Sequence, residues 1–156
     1  MQDETFMLLA LEEARLALAE GETPVGCVIV RDGRIIARGH NRRHNDHDPT
    51  AHAELLCIRQ AAELLHTRRL NDLTLYVTLD PCPMCAGAMM MAQLERCFFA
   101  ARDQRQGCCE SVLALTQDPA FYHRVPCVGG LMEEEAQTLL QDFFEKRRTG
   151  DKPHDH

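Results

Sequence analysis

The sequence predicts an α/β fold in which helices cover a mixed β-sheet. Helical and strand patterns alternate along the chain, in the order helix, hairpin, helix, strand, helix, strand. Asp32-Gly33, between the first two strand patterns, is the strongest short hairpin signal in the chain. The length of 156 residues is that of one ordinary domain. We therefore predict a single domain over residues 1–156, whose last residues, about eight, form a flexible tail.

The chain begins with an amphipathic pattern and continues with the hairpin. Apolar residues recur at helical spacing over residues 4–20, and Gly21 ends this predicted helix. Residues 25–30 and 34–37, on either side of the turn, are rich in Val and Ile, which favours strands. We expect this hairpin to open the sheet.

A polar loop separates the hairpin from the second helix. Residues 41–50 are too polar to be buried and too few to link two domains, so we expect a loop beside a site. Apolar residues then repeat every three or four positions, which predicts a helix that starts near Pro49 and Thr50. His52 and Glu54 are expected in its first turn.

The alternation continues to the end of the chain. Strands are predicted at residues 73–79 and 96–101, and helices at residues 84–92 and 133–148. Cys82 and Cys85 are expected at the N-terminus of the helix that follows the first of these strands. Two helix N-termini would thus carry side chains that can bind metal or transfer protons: His52 and Glu54 at one, Cys82 and Cys85 at the other.

Composition limits the classes of function. No run of about 18 apolar residues occurs, which excludes a membrane helix, and the acidic N-terminus lacks the features of a secretory signal. We therefore expect a cytoplasmic protein with no membrane partner. The net charge of −7 argues against nucleic-acid binding through a basic surface that extends over the whole protein. A nucleic-acid substrate would therefore have to bind at local basic patches.

The chain contains eight cysteines, which we expect to be reduced in the cytoplasm. Cys27, Cys57 and Cys97 lie in apolar stretches and are predicted to be core residues. Cys108 and Cys109 lie in a polar stretch, where we expect exposed, oxidisable thiols without an assigned role. A Cys-x-x-Cys pair in a reducing compartment is more typical of metal binding than of a disulfide.

His52, Cys82 and Cys85 together are a candidate zinc site. Helix N-termini favour the thiolate form that zinc requires, and two of them could direct these side chains to one point. A structural zinc is normally closed by four protein ligands, whereas a catalytic zinc keeps one position for water. Three donors therefore predict a catalytic zinc that carries hydroxide. The alternative is a structural zinc closed by a further ligand, for which the candidates are His44, His47, Cys57 and Cys108.

Glu54 supplies the remaining chemistry. The spacing His52-Ala53-Glu54 followed by Pro81-Cys82-Pro83-Met84-Cys85 is the established signature of zinc-dependent nucleobase and nucleoside deaminases. Such a carboxylate can take a proton from the zinc-bound water, pass it to the ring and later protonate the departing ammonia. We therefore predict Glu54 as the catalytic acid and base.

Several segments around this signature resemble the bacterial tRNA-specific adenosine deaminases, which belong to the cytidine/deoxycytidylate deaminase superfamily. The resemblance rests on Pro24-Val25-Gly26, Asn41-Arg42, Asp48-Pro49-Thr50-Ala51-His52-Ala53-Glu54, Thr74-Leu75-Tyr76-Val77-Thr78, Pro81-Cys82-Pro83-Met84-Cys85-Ala86-Gly87-Ala88-Met89 and Ala101-Arg102-Asp103. His123-Arg124-Val125 and Asp142-Phe143-Phe144, followed by basic residues, resemble this family in particular. The similarity extends from about residue 5 to residue 148.

The resemblance implies a cytidine-deaminase-like three-layer α/β/α fold with a five-stranded mixed sheet. It implies a homodimer with one Zn²⁺ per subunit, which converts adenosine to inosine at the wobble position of the tRNA-Arg anticodon by attack of zinc hydroxide on C6 of adenine. DNA is not an expected partner. The substrate-binding residues implied by the resemblance are Val25, Asn41, Ala53, Asp103, His123, Arg124, Phe144 and Arg148.

Two other functions remain open on the sequence. One is a deaminase of free cytidine, cytosine or guanine that uses the same zinc chemistry. The other is a non-catalytic, zinc-stabilised RNA-binding subunit. The presence of Glu54 argues against the second, because a subunit without turnover has no use for a proton-transferring carboxylate.

Overall fold

A five-stranded mixed sheet forms the centre of the protein, as the resemblance implied. The computed structural model describes residues 2–149, so nearly all of the predicted tail lies outside the described residues. The strands are β1 (Gly26–Arg31), β2 (Arg34–His40), β3 (Thr74–Leu79), β4 (Arg96–Ala101) and β5 (Cys127–Gly129). The helices are α1 (Gln2–Ala19), α2 (Ala53–Leu65), α3 (Pro83–Ala92) and α4 (Glu133–Arg148), and a short 3₁₀ helix spans Leu115–Gln117.

The strand order is β2-β1-β3-β4-β5. β1 pairs antiparallel with β2 and with β3, while β3 and β4, and β4 and β5, pair in parallel. The predicted hairpin turn is present: Asp32 and Gly33 both adopt positive φ, of 51° and 75°, as a two-residue turn matched to the twist of the strands requires.

Helices cover both faces of the sheet because its strands alternate their side chains between two apolar layers. Cys27 and Ile29 of β1 belong to the layer that contains α2 and α3. Val28 and Val30 point to the opposite layer, which contains α1 and α4. The predicted three-layer α/β/α arrangement is therefore confirmed. Within residues 2–149, no helix combines the length and apolar character needed to span a membrane.

This topology brings two helix starts to one edge of the sheet. The parallel strands β3 and β4 end at Leu79 and Ala101, on the same side of the sheet. α3 follows directly after β3, and α2 begins at Ala53 with His52 as its N-cap residue. In sheets of this kind, ligands bind outside the carboxyl ends of the strands.

Two local expectations need correction. His52 is the N-cap residue and not part of the first turn of α2, because the helix begins at Ala53 and not near Pro49 and Thr50. Cys108 and Cys109 are only 2% and 4% exposed, so the prediction of exposed thiols is wrong. Hydrogen bonds hold this stretch against the end of β3. Cys108 donates its N–H to Pro81 O, and Cys109 donates its N–H to the buried carboxylate of Asp80. The burial predicted for Cys27, Cys57 and Cys97 is confirmed.

Candidate active site

His52, Cys82 and Cys85 meet at the two helix starts. His52 and Cys82 are both N-cap residues with extended backbone, and Cys85 lies in the first turn of α3. His52 Nδ1 lies 3.6 Å from Cys82 Sγ and 3.5 Å from Cys85 Sγ. The structure thus brings the three predicted metal ligands together.

These distances fit a tetrahedral zinc ion. Bond lengths of about 2.05 Å to nitrogen and about 2.3 Å to sulfur, at a tetrahedral angle, separate the two donor atoms by about 3.5 Å. The ligand atoms of all three residues lie within 4.8 Å of one another, and no fourth His, Cys, Asp or Glu in residues 2–149 joins the group. The arrangement therefore matches a three-ligand site with one open position, and not the closed alternative.

Local hydrogen bonds favour a thiolate at Cys82. The Cys85 thiol and then the His52 ring, which hydrogen-bond to its sulfur, lower the pKa of Cys82 to about 4. The N-terminus of α3, where Cys82 is the cap, favours negative charge as well. The site is thus preorganised for a cation.

Glu54 lies in the first turn of α2, beside the metal-binding residues, and is 3% exposed. Burial raises the pKa of Glu54 to about 7, and the charge of His52 opposes that rise. A carboxyl group with a pKa near neutrality can both accept and donate a proton. This is the property that a single acid and base needs.

A cavity of about 340 Å³ opens over this group, large enough for a small ligand. The predicted site residues that line it are Val25, Asn41, His52, Glu54, Cys82, Asp103 and Phe144. Cys85 is fully buried behind them. The cavity therefore joins the metal-binding group to four of the eight residues predicted to bind the substrate.

The Asn41 side chain is held in one orientation. Its Oδ1 atom accepts a hydrogen bond of 2.9 Å from the Ala53 N–H, which identifies the opposite end of the amide as the Nδ2 donor. Ala53 is fully buried and is not among the residues that line the cavity. Its amide N–H supports Asn41, and direct contact of the Ala53 backbone with a substrate stays a prediction.

Asp103 places an unpartnered oxygen at the cavity. The residue is 6% exposed, and its Oδ1 atom accepts the Arg105 N–H at 3.0 Å. Its buried Oδ2 atom has no hydrogen-bond partner within residues 2–149. Because such a group is costly to bury unsatisfied, this oxygen is suited to accept a hydrogen bond from a ligand.

Asp80 is a site residue that the sequence analysis missed. Its carboxylate is 2% exposed and accepts the N–H groups of Cys109, Glu110 and Ser111 at 2.9, 3.2 and 2.7 Å. Ser111 Oγ in turn accepts the Asp103 N–H at 2.9 Å. Asp80 therefore holds the loop that presents Asp103. A carboxylate directly between a strand and the Pro-Cys-x-x-Cys motif was the available signal.

Besides Ala53, three predicted substrate-binding residues do not line the cavity. His123 lines a separate depression with Met91 and Tyr122, and Arg124 is exposed. Arg148 is exposed, while its neighbour Arg147 lines the cavity. The cations at the cavity are thus Arg147, Arg43 and Arg105.

Comparisons with known proteins agree with this geometry. Residues 1–101 match the family model for the cytidine and deoxycytidylate deaminase zinc-binding region. The chain is 45% identical to the tRNA-specific adenosine deaminase of Bacillus subtilis over 94% of its own length and 91% of the relative's. It is 44% identical to the enzyme of the same name from Agrobacterium fabrum, over 94% of this chain and 96% of the relative.

Solved structures extend the comparison. One chain, from a study of A-to-I editing by tRNA:A34 deaminases at the wobble position, superposes with a TM-score of 0.84 at 44% identity. The match covers 87% of this chain and 99% of that one. The guanine deaminase of Nitrosomonas europaea, with 24% identity and a TM-score of 0.73 over 90% of this chain and 83% of that one, shares the fold. The chain therefore belongs to the tRNA-specific adenosine deaminase family, within the zinc-binding cytidine and deoxycytidylate deaminases.

Proposed function

We propose that this protein hydrolytically deaminates adenosine to inosine at the wobble position of a tRNA anticodon, and that tRNA-Arg is its substrate. The observation that carries the proposal is the three-donor group with no fourth donor in residues 2–149, placed at one cavity with buried Glu54. The names of the similar proteins support adenosine in tRNA as the target.

His52, Cys82 and Cys85 would hold one zinc ion per subunit, and that ion would supply a water-derived nucleophile at neutral pH. Glu54 takes the proton released by the nucleophile and gives it to N1 of the adenine ring, while the new C–O bond forms at C6. The same carboxyl group later moves a proton to the departing amine, which leaves as ammonia when the C–N bond breaks. Burial favours this cycle because it raises the pKa of Glu54 to about 7.

Two neighbouring side chains support binding of a purine nucleotide. The Nδ2 donor of Asn41, oriented by the Ala53 N–H, would hydrogen-bond an acceptor on the base, and Val25 would contact the ring. The unpartnered Oδ2 of Asp103 would accept a hydrogen bond from a ribose 2′-hydroxyl. That group is the feature by which a protein distinguishes RNA from DNA.

Local cations support an RNA substrate for an otherwise acidic protein. Arg43, Arg105 and Arg147 line the cavity, and the Arg105 guanidinium lies 5.7 Å from the centre of the Phe144 ring. Splayed loop bases can be bound by aromatic stacking and a few cations without a basic surface throughout. His123, Arg124 and Arg148, which lie outside the cavity, would contact the anticodon stem-loop farther from the reacting base.

A homodimer in the cytoplasm completes the proposal. The depression beside His123 contains Met91, Phe121 and Tyr122, which are 80%, 43% and 98% exposed. Such an apolar patch supports contact with a second copy. Light scattering after size-exclusion chromatography would measure twice the chain mass if this is correct.

The test of the function is substrate choice by the zinc-loaded protein. It is incubated with tRNA-Arg that carries a wobble adenosine and, separately, with free adenosine, cytidine, cytosine and guanine, while inosine and ammonia are quantified. The matched control is the same tRNA with a wobble guanosine. We expect inosine in the first tRNA alone. Ammonia from a free base or nucleoside alone would replace the RNA substrate by a small molecule, and absence of turnover would favour a non-catalytic subunit.

A further inference from the structure

A second group of side chains of metal-ligand type shares no member with the active-site group. It consists of Cys97 in β4, Cys109 in the loop after Asp103 and Cys127 in β5, and we call it the thiol triad. The three Sγ atoms lie within 4.8 Å of one another. Cys97 and Cys127 are register partners in the parallel pair β4–β5, which places two of the sulfurs side by side.

The fold holds each member of the thiol triad in place. Cys97 donates its backbone N–H to Pro126 O at 2.9 Å, next to Cys127. Cys109 donates its N–H to Asp80 Oδ1 at 2.9 Å. Cys127 Sγ lies 3.3 Å from Thr116 Oγ1 and 3.3 Å from Val125 O. The three sulfurs are thus brought together by a sheet pair and an anchored loop, which leaves them little freedom to separate.

The triad offers only sulfur ligands, in a buried position, and such ligands suit a soft ion. Cys97 is fully buried and Cys109 is 4% exposed, whereas Cys127 is partly buried. No His, Asp or Glu of residues 2–149 belongs to the group. A structural zinc normally takes four protein ligands, whereas sulfur-only sites select soft ions such as Cu(I).

Metal binding by the triad would release protons, because the ligands are thiolates. Each thiol that becomes a thiolate ligand releases one proton to solvent when the ion binds. No oxidant or reductant is consumed.

We propose that Cys97, Cys109 and Cys127 form a second metal site, a three-coordinate thiolate site for a soft monovalent ion of the Cu(I) type. This site is distinct from the zinc-binding group, with which it shares no ligand. It joins β4 and β5 to the loop that Asp80 anchors. Binding of the ion to the folded chain alone would therefore stabilise that loop and the edge of the sheet.

The test measures both metals in the same sample. Zinc-loaded protein is exposed to Cu(I), buffered by a chelator, without oxygen and with a non-thiol reductant. After desalting, zinc and copper are counted by mass spectrometry. We expect one copper per chain with the zinc content unchanged, and X-ray absorption at the copper edge should show sulfur neighbours only. Copper gained at the expense of zinc, or nitrogen neighbours at the copper, would overturn the proposal.

Variants locate the copper. Cys109→Ala should lose it and keep zinc, while Cys57→Ala, which removes an equally buried thiol outside the triad, should retain both metals. Cys127→Ala, at the partly exposed member, provides a second disruption should the loop variant fail to fold. Equal copper uptake by wild type and a folded triad variant would refute the assignment. The wild-type stoichiometry and copper-edge spectrum decide the question without any variant.

Discussion

Within residues 2–149, two groups of three side chains of metal-ligand type lie close together, and they differ in their surroundings. His52, Cys82 and Cys85 lie at helix starts beside the active-site cavity, whereas the members of the thiol triad lie on two strands and a loop and do not line that cavity. Both groups bring their ligand atoms within 4.8 Å. Closeness of the ligand atoms is therefore common to both groups. It cannot explain why only one of them would be catalytic.

The difference lies in what surrounds the donors. The first group contains a nitrogen donor, leaves one coordination position open and has buried Glu54 beside it. The triad contains sulfur alone, and the carboxylate next to Cys109, that of Asp80, already accepts three backbone N–H groups of the loop. A catalytic metal centre needs an open position and a group that moves protons, and only the first group offers both.

The strongest test of this contrast removes one donor from the active site. Cys82→Ser should lose zinc and with it all measurable deamination, because two remaining ligands hold the ion poorly. Zinc content and inosine formation are measured on the same preparation. Cys57→Ala is the control, since it removes a buried thiol that belongs to neither group. Full turnover by a zinc-free Cys82→Ser protein would show that the first group is not the catalytic centre.

The second test separates metal binding from proton transfer. Glu54→Gln keeps the shape of the side chain but removes its acid and base function, so turnover should fall by about 10²–10⁴-fold while zinc stays bound. Glu63→Gln, on the exposed side of the same helix, should behave like wild type. The proposed mechanism is wrong if Glu54→Gln retains normal turnover.

A third test concerns Asp103, which lines the active-site cavity. Asp103→Asn should reduce kcat/KM on tRNA by about tenfold or more, the usual loss for a hydrogen bond to a charged group. Replacing the neighbouring ribose by 2′-deoxyribose should weaken wild type in the same way and affect Asp103→Asn far less. If the deoxy substitution harms both proteins equally, Asp103 does not contact that hydroxyl.

The smallest expected effect on activity comes from the residue that connects the two groups. Asp80 accepts N–H groups from the loop that carries both Asp103 and Cys109, and Asn in its place turns one acceptor into a donor. Urea denaturation of Asp80→Asn should show a loss of about 1–3 kcal/mol in the free energy of unfolding. Turnover should fall only severalfold. Asp72→Asn, whose side chain is 66% exposed, should leave stability unchanged; equal stability of the two variants would mean that Asp80 does not hold the loop.

Local sequence signals predicted most of the fold. The Asp32-Gly33 turn, the β-rich runs and the apolar spacing of α4 each reflect interactions within a few residues, and their predicted positions agree with the structure. β5 was not predicted from its residues, because a strand of three residues has no usable alternation and depends on pairing with β4. Its existence followed only from the family resemblance.

The predicted site was incomplete for the same reason. Adjacent polar residues suggested that Cys108 and Cys109 are exposed, but Asp80, about 29 positions earlier in the chain, draws them inward. Likewise, one residue along a helix turns a side chain by about 100°, so the pattern could not distinguish Arg147 from Arg148 as the cation at the cavity. The local pattern could not predict contacts between residues far apart in the sequence. It also could not predict which side of a helix faces the cavity.

The part of the cavity formed by α4 is synthesised after the active-site metal donors. The active-site metal donors and Glu54 have all been translated by residue 85, whereas Phe144 and Arg147 of the cavity belong to α4 (Glu133–Arg148). A ribosome that stalls before α4 would release a product that carries every metal donor but lacks one wall of the cavity. Because Ala136 and Leu139 of α4 belong to the apolar layer on one face of the sheet, such a fragment would also lose core packing, so completion of the cavity and completion of the core depend on the same helix.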